Sequence, residues 1–176
     1  MVNTDLSVLS QTVGEALRER GWQLTTAESC TGGWIAQSIT AVPGSSAWFQ
    51  CGWVTYSNLA KQKLLGVPAE CFDGPEAPGA VSQQTVLAMA RGALKCCGAD
   101  VAVASSGIAG PDGGSPGRPV GTVWLGWAMR SADSPAISSS ARRFQFDGDR
   151  QAVREQSVCE ALAGLLEIVN NQHTKG

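Results

Sequence analysis

Trp22-Gln23-Leu24-Thr25-Thr26-Ala27-Glu28-Ser29-Cys30-Thr31-Gly32-Gly33 is the stretch from which the fold of this chain can be read. Trp22 to Ala27 reads as a strand, rich in apolar and β-branched residues. Glu28–Gly33 interrupts it, and a helix is expected from about Gly32 to Ala41, ended by Pro43-Gly44. A strand that runs through a small-residue turn into a helix is the building unit of an α/β fold. Such a junction exposes a side chain and gathers unpaired backbone N–H groups at one point. The plainer alternative is an ordinary helix start with Ser29 or Thr31 as its cap. The phosphate-loop pattern Gly-x-x-x-x-Gly-Lys is absent.

On the N-terminal side, Leu6, Leu9, Val13 and Leu17 have helical spacing, and Gly21 stops that helix near Arg20. On the C-terminal side, Trp48 to Tyr56 reads as a strand, and Ser57-Asn58 caps a short helix through Lys61 to Leu65. Pro68 to Ala80 is a loop, after which Ser82 caps a helix carrying Val86, Met89, Ala90 and Ala93 on one face. Asp100 to Ser105 reads as a buried strand, and Gly107–Gly117 is too glycine-rich for a regular element. Val120–Met129 and Ile137–Phe146 are two strands joined by a polar turn. A last helix begins near Gly148-Asp149-Arg150 and runs through Val153, Ala161, Leu162, Leu165 and Ile168, leaving 171–176 as a frayed tail. Alternating elements followed by two successive strands predict one α/β domain over residues 1–170. Its architecture would be a three-layer α/β/α sandwich with a mixed, mostly parallel sheet.

The composition narrows the function. Charged residues make up 16% of the 176, with a net charge of −2, and no basic stripe offers a surface to nucleic acid. No run approaches the roughly 20 apolar residues of a membrane helix, and the N-terminus does not read as a signal peptide. A cytoplasmic protein that binds no membrane is expected. The six cysteines (Cys30, Cys51, Cys71, Cys96, Cys97 and Cys159) include no Cys-x-x-Cys pair, and the one histidine, His173, lies in the tail. No metal site is expected, and most of the cysteines read as small buried apolar residues.

With one histidine in a tail, a Ser-His-Asp triad is excluded as the source of hydrolytic chemistry. The available pair is Ser29 as nucleophile with Lys61 as base, Tyr56 standing by to orient or relay. Lys61 falls in the first turn of its helix, where a cation opposes the helix dipole and burial favours the neutral amine. A solvated surface lysine is the alternative. Tyr56 and Lys61 are one residue too far apart for the Tyr-x-x-x-Lys of short-chain dehydrogenases, and no Gly-x-Gly-x-x-Gly follows the first strand. Ser105-Ser106-Gly107-Ile108-Ala109-Gly110-Pro111 ends a strand in a loop of hydroxyls and backbone N–H groups, suited to ribose or phosphate, or else a plain surface loop. Arg150 at the last helix start suits a phosphate, or a surface pairing with Asp149 or Glu155.

Several segments resemble the CinA C-terminal domain family. They are Ala27-Glu28-Ser29-Cys30-Thr31-Gly32-Gly33, Val42-Pro43-Gly44-Ser45-Ser46, Val54-Thr55-Tyr56-Ser57-Asn58, and Ala60-Lys61 with Leu64-Leu65-Gly66-Val67. Gly79-Ala80-Val81-Ser82, Gly107-Ile108-Ala109-Gly110-Pro111 and Pro119-Val120-Gly121-Thr122-Val123 complete the set, in the family's order from about Leu6 to Ile168. The resemblance implies a nicotinamide-nucleotide amidase that converts nicotinamide mononucleotide and water to nicotinate mononucleotide and ammonia, without a cofactor. It implies an α/β/α fold and a homodimer, and larger relatives carry a molybdopterin-binding-like domain that this chain is too short to include. The family's nucleophile falls on Ser29 and its tyrosine and lysine on Tyr56 and Lys61. Substrate contacts are expected at Cys30, Thr31, Gly32, Gly33, Ser106, Gly107, Gly110 and Arg150. Ser106 stands where the family usually has threonine, and Cys51 where it often has glycine. Two alternatives stay open at this point: a non-catalytic nucleotide-binding module of the same fold, and an amidase for another small amide.

Overall fold

Asp5 opens the first helix, α1 (Leu6–Arg20), by accepting from the Ser7 N–H at 2.9 Å. Gly21 closes it in the left-handed conformation, with its own N–H donating to Arg18 O and that of Trp22 to Leu17 O. This closure, together with the Gln23 N–H donating to Asp100 Oδ2 at 2.7 Å, takes up the backbone donors that a strand from Trp22 would need. The first strand, β1, therefore spans Leu24–Glu28, two residues later than the sequence suggests. The computed structural model describes residues 5–131 and 135–171, so His173 and the expected tail beyond Asn171 lie outside the described residues.

After β1 come α2 (Trp34–Thr40), β2 (Phe49–Val54), α3 (Asn58–Leu65), α4 (Gln83–Cys97), β3 (Val101–Gly107), β4 (Thr122–Arg130), β5 (Ile137–Gln145) and α5 (Arg150–Asn171). The helix expected from Gly32 starts at Trp34 because Gly32 and Gly33 have φ of 63° and 95°, outside the right-handed helical region. Ser57 and Ser82 cap α3 and α4 through the N–H groups of Ala60 and Thr85. The loop before α4 contains one 3-10 turn, Ala69–Cys71, which buries Cys71. The last helix runs to Asn171, the last described residue.

The strands form one sheet in the order β2-β1-β3-β4-β5. β1 is parallel to both β2 and β3, while β4 is antiparallel to β3 and β5. Four of the five strands thus run the same way, and the sheet is mixed. Along β3 the two faces alternate: Val101 and Val103 join the core under α1, α2 and α5, and Ala102 and Ala104 join the core under α3 and α4. The small residues on the second face let α4 approach closely, and Gly92 lets the end of α3 sit against α4, since a methyl there would overlap Leu65 O. The result is the three-layer sandwich. Its switch point lies between β1 and β3, because the chain leaves β1 through α2 to β2 on one side while β3 flanks the other. Ligands of open α/β sheets bind at the C-terminal ends of strands at such a point. Glu28 pairs with Ser105 there, which brings the two hydroxyl-rich turns side by side.

Candidate active site

Glu28, the last residue of β1, is fully buried. Its Oε2 accepts from Thr31 Oγ1 at 2.7 Å and from the N–H groups of Gly33 and Ile35 at 3.0 Å each, and its Oε1 accepts from the Ala36 N–H at 2.8 Å. All four partners are donors, so the group acts as a pure acceptor, as an ionised carboxylate does. With its one proton directed to Glu28, Thr31 receives the Ser105 hydroxyl at 2.7 Å. The strand thus caps the following helix from within, and the turn between them is held on both sides.

Two further bonds define that turn: the Ser29 N–H donates to Ser105 O and the Gly32 N–H to Ser29 O, each at 3.0 Å. The Glu28 carboxylate and Ser29 O thereby occupy the amides of Gly32, Gly33, Ile35 and Ala36. Among the described residues, the N–H groups of Cys30 and Thr31 donate to no main-chain acceptor and are the donors left beside Ser29.

Lys61 enters from the opposite layer. It lies in the first turn of α3, is 1% exposed, and places Nζ 3.0 Å from Ser29 Oγ, 2.8 Å from Thr55 O and 3.0 Å from Tyr56 O. Burial pushes its amine down to about 8. A neutral amine has two hydrogens and one lone pair. The two carbonyls can only accept, so they take both hydrogens and leave the lone pair to the one partner that can donate, the Ser29 hydroxyl. This is the geometry of a base poised on its nucleophile. The neighbouring thiol is no competitor, because burial pushes Cys30 up to about 11.

The other expected site residues fall in three places. Tyr56 meets Lys61 through its main-chain carbonyl, while its side chain is 60% exposed and its hydroxyl accepts from Arg150 Nη2 at 3.1 Å. Arg150 Nη1 donates to Gly110 O at 2.8 Å, so both terminal nitrogens of this guanidinium already hold protein acceptors. Gly107 ends β3, and Ser106 is buried with its hydroxyl donating to Ala80 O at 2.7 Å. Thr31 is buried in the Glu28–Ser105 network and offers its carbonyl to Arg154 Nη2 at 3.0 Å. Cys51 sits in the middle of β2 beside Thr25, away from the strand ends.

Sequence reasoning assigned no role to Glu28 or Arg154. Glu28 was visible only as a member of its motif. Arg154 stands one helical turn after Arg150, and that spacing on one face was the available signal. Its guanidinium lies over the Trp34 ring, 5.4 Å from the centroid, on a cleft lined by Gly32, Gly33, Trp34, Gln37 and Gln151. Among the described residues, no three His, Cys, Asp or Glu side chains are grouped to hold a metal ion.

The family profile of the CinA C-terminal domain matches residues 6–169. The chain belongs to this family. Among its relatives in the family, a nicotinamide-nucleotide amidohydrolase PncC from Pseudomonas putida is 56% identical over 163 residues, covering 93% of this chain and 96% of that protein. The protein of the same description from Escherichia coli K12 is 52% identical over 167 residues, covering 95% and 96%. A crystal structure of a CinA superfamily protein from Klebsiella pneumoniae superposes with a TM-score of 0.85 at 42% identity, covering 96% of this chain and 99% of that one.

Proposed function

We propose that this protein is a nicotinamide-nucleotide amidohydrolase that deamidates nicotinamide mononucleotide to nicotinate mononucleotide and ammonia, serving the recycling of NAD. The relatives described above support the substrate. The observation that carries the chemistry is the Lys61 amine, buried, with two carbonyls fixing its hydrogens and Ser29 Oγ at 3.0 Å on its remaining side.

Lys61, neutral, takes the Ser29 proton as Oγ attacks the carboxamide carbon. The Cys30 and Thr31 N–H groups receive the oxyanion, and each such donor is worth about 2.7–4 kcal/mol of transition-state stabilisation. The Lys61 ammonium returns the proton to the leaving nitrogen, and ammonia departs. Water, deprotonated by the regenerated amine, then attacks the acyl-Ser29 carbonyl and frees nicotinate mononucleotide and the serine hydroxyl. Tyr56 contributes the carbonyl that orients Lys61. Arg150 ties the Gly110 loop to the Tyr56 phenol at the rim, where Ser106, Gly107 and Gly110 shape the substrate wall. Gly32 and Gly33 leave the other wall bare of side chains.

The protein works in the cytoplasm as a homodimer. All six thiols are free, in keeping with a reducing compartment. Val54, Tyr56, Leu59 and Leu64 expose apolar surface around β2 and α3 that a second subunit would cover. Sedimentation equilibrium should give twice the 18.3 kDa chain mass, and a monomer at micromolar concentration would sink the dimer.

The direct test is ammonia release from nicotinamide mononucleotide without added metal, by the wild type and by Ser29→Ala. Turnover that the substitution abolishes, with binding retained, is the expected result. Folded wild type that binds the nucleotide without releasing ammonia would leave the protein a binding module.

A further inference from the structure

Arg150 and Arg154 stand one turn apart at the start of α5, and their guanidinium groups are engaged differently. Both terminal nitrogens of Arg150 donate to the protein, to Gly110 O and Tyr56 Oη. Arg154 donates to the protein through Nη2, to Thr31 O, and its plane is pinned over Trp34. It lines an open cleft of about 430 Å³ with Gly32, Gly33, Trp34, Gln37 and Gln151. That set contains one cation, two side-chain amides and two glycines, and no carboxylate. A stacked guanidinium presents its donors in one fixed plane, a fork that can bind the oxygens of a phosphate bidentately. The helix α2 behind it offers no competing anion site, because the amides of Gly33, Ile35 and Ala36 are already bonded to Glu28. The cleft also begins beside the nucleophile, since the Gly32 N–H donates to Ser29 O at 3.0 Å.

We propose that this cleft is a phosphomonoester subsite, in which Arg154, with the amides of Gln37 and Gln151, holds the 5′-phosphate of the substrate and so selects a nucleotide over its riboside. The role in selection rests on the amidase reading; the binding does not. The size suits a ribose phosphate, at the small end of ligand cavities.

Calorimetric titration with ribose 5-phosphate tests the subsite without turnover. Wild type should bind it, and Arg154→Gln should weaken it by about tenfold or more, as for loss of a charge-assisted hydrogen bond. Because Arg154 also holds Thr31 O, a second variant, Gln151→Glu, places a negative charge in the cleft from an exposed position on α5 without removing the Arg154–Thr31 bond. It should weaken binding by roughly fivefold or more through like-charge repulsion. In the ammonia assay, KM for nicotinamide mononucleotide should rise in both variants, with kcat within about threefold, the signature of lost uniform binding. Equal ribose 5-phosphate affinity in wild type and both variants, or no binding by wild type, overturns the subsite. So does a fall in kcat at unchanged KM, which would assign Arg154 to holding the turn. A wild type without amidase activity whose ribose 5-phosphate binding depends on Arg154 and Gln151 would end the amidase reading and leave the subsite standing.

Discussion

The proposed mechanism turns on Lys61, and its burial makes two separate predictions. If the neutral amine is the base, kcat/KM should climb about tenfold per pH unit below the amine's value near 8 and level off above it. A profile flat from pH 6 to 9 would remove Lys61 from the proton path. Stability should respond as well. The folded protein holds this amine at about 8 and the unfolded chain near 10.5, so between those values the unfolded chain binds more protons. Stability contributed at this site therefore rises with pH across that window, by roughly 1 kcal/mol per unit, and is constant below it. Urea melts at pH 8 and 10 should show the rise in wild type and lose it in Lys61→Met. The Glu28 carboxylate is taken up by bonds within the turn that carries Ser29, which suits a positioning role in the proposed mechanism. Glu28→Gln points an amide N–H at groups that are themselves donors, which costs roughly 1–3 kcal/mol for the unmet bonds. Because these bonds hold the turn that carries Ser29, kcat should fall by more than about tenfold, at a KM changed less than about threefold. A variant that melts lower yet keeps full kcat would confine Glu28 to stability. Nothing in the local sequence marks this acid as a cap, since its acceptors' partners lie up to eight residues ahead, around two left-handed glycines.

The elements themselves were legible because their signals are local. Ser57 and Ser82 at helix starts, Gly21 at a helix end and the apolar spacing of α1 and α4 are readable within a few residues. Boundaries moved where a distant partner intervened, as when Asp100 took the Gln23 amide and delayed β1. The packing of α3 on α4 was not legible at all, although it delivers Lys61 to Ser29. It depends on Gly92 lying bare against Leu65 O at the end of α3. The clash is with backbone, so no side-chain rotation relieves it, and Gly92→Ala should destabilise the protein by roughly 1–3 kcal/mol. It should also lower kcat, because α3 must shift as a body and carries the base with it. Full activity together with unchanged stability would show that α3 yields without cost. On the other face, Gly164 lies against the Trp127 ring, whose indole N–H donates to Ala161 O at 3.0 Å. Gly164→Ala should destabilise by a similar amount, but it displaces α5 and with it Arg150 and Arg154.

At the scale of the molecule, the candidate site is an agreement among layers. Ser29 and the N–H groups of Cys30 and Thr31 follow a central strand, Lys61 comes from the α3–α4 face, and the arginines come from α5 on the other face. The Arg154–Thr31 bond alone joins residues 123 apart in sequence, and such long-range meetings are why strand order and the cleft could not be read from the chain. Each outer layer has its own apolar core, so in principle one could loosen while the other persists. Their shared sheet argues otherwise: β3 is buried on both faces and contributes alternate residues to both cores, so neither layer can leave without exposing it. Urea titrations followed by ammonia release, far-UV circular dichroism and tryptophan fluorescence should therefore share one midpoint in wild type. Gly92→Ala and Gly164→Ala, placed in opposite layers, should each shift all three midpoints together to lower urea. If activity disappeared well before the backbone signal in Gly92→Ala alone, the α3–α4 layer would be opening as a separate unit. The base would then be held by a layer less stable than the one that holds its nucleophile.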